Sequence, residues 1–190
     1  MSGLVGLIGI DAHVIERQNV IAMLARLAHR GPDGSDLLAG RGHVLAHSHF
    51  WTTPEEVGER QPLVDSESGH RLVLDGRIDN RADLERVLGD SSAPLTDARL
   101  LLRAYVRWGK SCFEHLLGPF AVLIWDSKAD TLVATRDPMG DRTLFYASVL
   151  GGMAIASEEQ ALLAHPSVRP ELDEETLARH FAIEAPRAGR

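Results

Sequence analysis

Ala121-Val122-Leu123-Ile124-Trp125-Asp126, then Ser127-Lys128-Ala129-Asp130, then Thr131-Leu132-Val133-Ala134-Thr135-Arg136: this run decides the fold. Two segments rich in β-branched and aromatic residues flank a polar link too short for a crossover, so they read as adjacent antiparallel strands. On either side the same pattern repeats. Thr143 to Val149 pairs with Met153 to Ser157 through Gly151-Gly152. Upstream, Leu4 to Ile10 is a short apolar strand with glycines at 3, 6 and 9, His43 to His49 is a strand of mixed polarity, and Arg71 to Leu74 is another. The last runs into Asp75-Gly76-Arg77, where Asp-Gly suits a hairpin turn. Helical spacing covers Val14 to Leu27 and Ala98 to Trp108, with shorter helices at Arg81 to Leu88, Glu158 to Ala164 and Glu174 to Phe181. Asn80, Asp97 and Asp173 stand in N-cap positions. His29 to Gly34 and Trp51 to Gln61 are loops, and Arg136-Asp137 reads as an ion pair at a strand end. Strands with hairpin links and interspersed helices imply an α+β domain of mainly antiparallel sheets, with helices on their outer faces.

Bulk properties narrow the function classes. The chain has 190 residues, 44% hydrophobic and 25% charged, with a formal net charge of -7. A domain of that size buries about 70% of its unfolded surface without disulfides or structural metal. Cys112 is the single cysteine, which points to a reducing, cytoplasmic setting. Basic residues are scattered and outnumbered, so no nucleic-acid footprint is present. Apolar runs of about ten residues are too short to span a bilayer, and the apolar start lacks the basic residues of a signal peptide. No histidine has zinc-ligand spacing with a cysteine or carboxylate, so no metal is expected.

A set of ordered motifs carries more. Met1-Ser2-Gly3-Leu4-Val5-Gly6 is followed by Leu27-Ala28-His29-Arg30-Gly31-Pro32-Asp33-Gly34, Gln61-Pro62-Leu63 and Asp75-Gly76-Arg77-Ile78-Asp79-Asn80. Thr96-Asp97, Gly118-Pro119-Phe120-Ala121, Arg136-Asp137-Pro138-Met139-Gly140 and Ala156-Ser157-Glu158 complete it. This set resembles the N-terminal class II glutamine amidotransferase (glutaminase-type) domain of the asparagine synthetase-like family. The resemblance implies a four-layer αββα sandwich of the N-terminal-nucleophile type with two mainly antiparallel sheets. It sets the glutaminase-type domain at 1-170, with 171-190 leading toward a C-terminal ATP-dependent synthetase domain. In working members, removal of the initiator methionine frees a cysteine that attacks glutamine, and its own amine serves as base.

Carried over residue by residue, the resemblance marks five positions. Ser2 stands at the nucleophile, where family members have cysteine; a serine hydroxyl is the weaker nucleophile and needs a well-placed base. Asp75 and Gly76 stand at the oxyanion hole, where the family has Asn-Gly. An ionised Asp75 offers negative charge where donors are needed, whereas Gly76 keeps its backbone donor. His49 falls where an arginine clamps the substrate carboxylate, and lacks the guanidinium fork. Asp97 matches the aspartate that holds the substrate amine, and is equally a good helix cap. Arg30 to Asp33 read as architectural.

Substitutions at Ser2, Asp75 and His49 fall on one site, and they imply a domain without glutaminase activity that serves as scaffold. Phe50 to Glu56 and Asp75 to Asn80 look like the relatives that close amide rings, lasso-peptide isopeptide cyclases and β-lactam synthetases. In these the amine is already in the substrate. No cofactor is expected in this domain; ATP and Mg²⁺ would belong to the synthetase domain, the expected partner in cis or in trans. Glutamine or a peptide is the expected ligand of the pocket, and a bare apolar face would favour a homo-oligomer. The ending at Pro186-Arg187-Ala188-Gly189-Arg190 reads as a truncation, a split gene product or a fragment. Two other readings stay open: an active glutamine amidohydrolase with Ser2 as nucleophile, and a stand-alone binding or regulatory module.

Overall fold

The computed structural model describes residues 1–9, 15–89 and 95–182. Two antiparallel sheets face each other. The first has the order β2 (Ser35–Gly40), β3 (His43–Ser48), β1 (Gly3–Gly9), β9 (Gly152–Ala156), β8 (Phe145–Val149). The second has the order β4 (Leu63–Val64), β5 (Arg71–Gly76), β6 (Phe120–Asp126), β7 (Thr131–Arg136). Helices α1 (Arg17–Ala25) and α4 (Glu159–Leu162) lie against the first sheet, and α2 (Arg81–Leu88) and α3 (Asp97–Trp108) against the second. A last helix, α5 (Glu174–Phe181), buries none of its residues. The layering is αββα.

Three apolar clusters glue the layers, and they explain why the central strands read as unbroken apolar runs. Along β1, Leu4 points into the inter-sheet cluster with Leu45, Val73, Leu123 and Ile155, while Val5 and Leu7 point to Met23, Leu24 and Leu162 on the helical side. Along β6, Leu123 and Trp125 face the other sheet, whereas Val122 and Ile124 face Leu101 and Tyr105 of α3. Both faces of each strand are buried, so the period-2 alternation carries no change of polarity.

The structure revises several local expectations. Asp75-Gly76 is not a hairpin turn. Strand β5 runs through both residues, which pair with Ala121 and Phe120 of β6. A Cβ on Gly76 would lie 2.6 Å from Phe120 Cα and from Pro119 O, so close strand approach accounts for this glycine. Asp97 is not the cap of α3: Thr96 is, its hydroxyl accepting from Arg99 N. Asn80 precedes α2, but its side chain bonds His115 O and Leu117 N instead of capping. Asp137 accepts from the backbone N–H of Asp141 (3.0 Å) and Arg142 (3.1 Å) rather than pairing with Arg136. Strand β2 falls in the stretch between the His29–Gly34 loop and the His43–His49 strand, to which the sequence assigns no element, and the helix expected at Glu158 to Ala164 shortens to α4. Ile10, Val14 and the terminal Pro186 to Arg190 lie outside the described residues.

Candidate functional site

The topology brings the start of the central strand β1 beside the ends of β3 and β5. Gly3 pairs with Ser48, which puts Ser2 opposite His49. Across the sandwich, β5 delivers Asp75 and Gly76 to the same end. Ser2, His49, Asp75 and Gly76 thus line one cleft of about 240 Å³, together with Arg77 and Arg142. The loop from Trp51 to Gln61 forms its outer wall, with Trp51, Glu56, Glu59 and Gln61 on the lining. This loop is held by its own bonds: Trp51 Nε1 donates to Glu59 O (3.0 Å), and Glu56 accepts from Thr52 N (2.7 Å).

Asp75 is the hub. Its Oδ1 accepts from Ser2 N at 2.9 Å and its Oδ2 from Arg30 Nη2 at 3.2 Å. Only 2% of the residue is exposed. Burial pushes its carboxyl above the usual range, against the pull of Arg142, Arg30 and the N-terminus. Both oxygens face donors, which suits a carboxylate and leaves neither free to donate. Arg30 extends the network: its Nε donates to Ser2 O (2.8 Å) and its Nη1 to Glu158 (2.7 Å). The guanidinium therefore grips the backbone of Ser2 and two carboxylates at once. Arg142 Nε is buried and has no hydrogen-bond partner among the described residues.

His49 sits in a row of buried groups. His47 Nε2 donates to Leu74 O (3.0 Å), His47 and His49 meet through their Nδ1 atoms (2.8 Å), and His49 Nε2 meets Asp36 Oδ2 (2.9 Å). Burial holds His47 neutral, its pKa lowered to about 3. With its Nε2 proton on Leu74 O, neutral His47 must accept at Nδ1, so His49 donates there. His49 Nε2 faces Asp36 Oδ2, so both nitrogens of the ring are committed inside the protein.

Of the five residues marked by sequence, four meet at the cleft and Asp97 does not line it. Asp97 Oδ2 accepts from Ile78 N (2.9 Å) and Oδ1 from Arg81, so the carboxylate ties α3 to the segment after β5. Sequence reasoning missed Arg30 as a hub, Arg142, His47 and Asp36. His47 had a signal: two positions from His49 on a strand, it must share a face with it. Asp36 had none, because β2 was not read as a strand. Among the described residues, no group of three or more His, Cys, Asp or Glu could hold a metal ion.

A family model described as "Glutamine amidotransferase domain" matches residues 1–189. The chain is 31% identical to asparagine synthetase [glutamine-hydrolyzing] 3 of Bacillus subtilis over 96% of its length, and covers 31% of that protein. It is 30% identical to asparagine synthetase B of Escherichia coli over 86% of its length, covering 30% of that one. It thus spans about a third of these relatives. Among solved structures, a glutamine phosphoribosylpyrophosphate amidotransferase from B. subtilis superposes with a TM-score of 0.72 at 21% identity, over 87% of this chain and 44% of the other. That likeness is one of fold.

Proposed function

The chain belongs to the glutamine amidotransferase domain family, and from that premise we propose that it is a member that no longer hydrolyses glutamine and serves as the scaffold of an asparagine synthetase-like, amide-forming enzyme. One observation carries the reading: the buried Asp75 carboxylate, which the family resemblance sets at the oxyanion position, accepts a hydrogen bond from Ser2 N. A tetrahedral oxyanion beside Ser2 would meet negative charge where the chemistry calls for donors. Two further features support it. Ser2 supplies a hydroxyl in place of a thiol. The committed nitrogens of His49 leave no bidentate cation at the clamp position.

In the finer form of this proposal, the parent enzyme is of the ring-closing kind, where the amine is part of the substrate and no ammonia is needed. The sequence likeness of Phe50 to Glu56 and Asp75 to Asn80 to such enzymes supports it. The boundary then lies near residue 170. ATP and Mg²⁺ act in the companion synthetase domain, which is the partner in cis or in trans.

The test is glutamate release from glutamine by the purified chain, measured against a Ser2→Ala variant. Equal, background release is expected for both. Release by the parent chain well above the variant would overturn the proposal. Turnover gained by the combined Ser2→Cys, His49→Arg and Asp75→Asn variant would show that these three positions account for the loss.

A further inference from the structure

Ser2 N is an amide nitrogen while Met1 is attached. Met1 lines the cleft and is 56% exposed, and Ser2 is small enough for an aminopeptidase to act on the nascent chain. In that step water adds across the Met1–Ser2 peptide bond, methionine leaves, and Ser2 keeps the nitrogen as an amine that takes a proton. Ser2 N, an amide in the structure, lies 2.9 Å from Asp75 Oδ1, and the new ammonium would form at that nitrogen.

The geometry points to Asp75 as the receptor for the chain's own N-terminal ammonium, an autoinhibitory ion pair that keeps the Ser2 amine from acting as a base. This rests on the reading above and adds a cause to it: the pocket is disarmed at its base as well as at its nucleophile. The receptor is built for the task. Arg30 fixes the other Asp75 oxygen (3.2 Å) and holds Ser2 O (2.8 Å), so carboxylate and amine-bearing residue are locked by one guanidinium. Glu158 balances Arg30 from ahead of α4 at 2.7 Å. Arg142, on the loop after β7, and Arg30 itself are the cations that oppose an ammonium at this end of the chain. From β3, His47 is neutral and His49 is turned to Asp36. Arg77, Glu56 and Glu59 complete the charged lining. Asp75 alone among these groups touches Ser2 N.

A base must be free to accept a proton, and an amine held as an ammonium against a buried carboxylate is not free. Intact-mass measurement of the purified full chain should first show that Met1 is gone; retained Met1 overturns the proposal. The rate of α-amine acylation by acetic anhydride, read at the N-terminal peptide, is then followed against pH for the folded chain and for the same chain in urea. An ordinary α-amine has its midpoint near 8. The folded chain should show a higher midpoint than the unfolded one, and at pH 8 about fivefold lower reactivity for the first unit of that shift and about tenfold for each further unit. Steric protection would lower the plateau and leave the midpoint in place. Asp75→Asn, which keeps an acceptor for Ser2 N, should return the midpoint to the unfolded value or below. Equal midpoints for folded and unfolded wild type overturn the proposal without recourse to any variant, as does a folded Asp75→Asn protein with the wild-type midpoint. Glutamate release is read on the same samples, so failure of the scaffold reading and failure of the ion pair remain distinguishable.

Discussion

Gly31 shows how backbone packing, more than side-chain chemistry, holds the site together. It follows Arg30, and a Cβ there would lie 2.5 Å from the carbonyl carbon of Ser48 and 2.7 Å from His49 N. No flexible side chain could give way; the obstacle is the end of β3 itself. Gly31→Ala should therefore cost about 1–3 kcal/mol in urea unfolding, the scale of an overpacked core. It should also displace Arg30 from Ser2 and Asp75. An unchanged urea midpoint would mean that the two backbones separate freely. At this scale the sequence was half legible. Ser2, Asp75, Gly76 and His49 were marked by the resemblance and do meet at one cleft. Arg30 reads as architectural because the resemblance sets its loop near the pocket without a part in the chemistry. Its three hydrogen bonds reach Ser2, Asp75 and Glu158, contacts 28, 45 and 128 residues away that no local pattern encodes.

Strand β3 carries the element-scale argument. It holds His43 and His47, both buried, and burial lowers the pKa of each, to about 3 for His47. A histidine kept neutral in the folded state gains its proton on unfolding below its ordinary value near 6.5. Its contribution is then complete above that pH, and is lost as pH falls toward the folded value, at up to about 1.4 kcal/mol per unit. His165 is shifted the same way. Asp75, Glu59 and Asp97 are shifted upward, the opposite sense for stability, but those carboxyls matter only as pH approaches the carboxylate range. Between pH 6.5 and 5.5 the histidines dominate. His47→Gln retains a donor for Leu74 O and removes the titration. It should lose about 1 kcal/mol less than wild type over that interval in urea melts; identical slopes would show that His47 does not govern the acid limb. The elements themselves were largely visible in sequence. Helices α2 and α5 and strand β7 have the expected bounds. Strand β2, Ser-Asp-Leu-Leu-Ala-Gly, was not visible, because it is an edge strand with no fully buried residue and opens straight from a turn-rich loop.

At the scale of the whole molecule, stability and docking are carried by different surfaces. The sandwich is closed by apolar clusters between the sheets and under α1, α3 and α4, so residues such as Leu101, with no exposed surface, set the free energy of folding. Helix α5 is amphipathic in sequence, yet Leu177 and Phe181 are 38% and 77% exposed, as is 71% of Leu172 just ahead of it. The chain spans about a third of the synthetases it resembles. On the scaffold reading, such a stripe serves a companion domain and contributes little to the sandwich. A double Leu177→Ala, Phe181→Ala variant tests this division, since alanine keeps the helix propensity and removes only the apolar stripe. Its Tm should stay within about 2 °C of wild type, which corresponds to less than about 1 kcal/mol for a chain of this size. Leu101→Ala should cost about 2–5 kcal/mol, as emptied core positions do. If both variants fall together, α5 belongs to the fold's own core; if they separate, the exposed stripe is free to serve association with a companion domain.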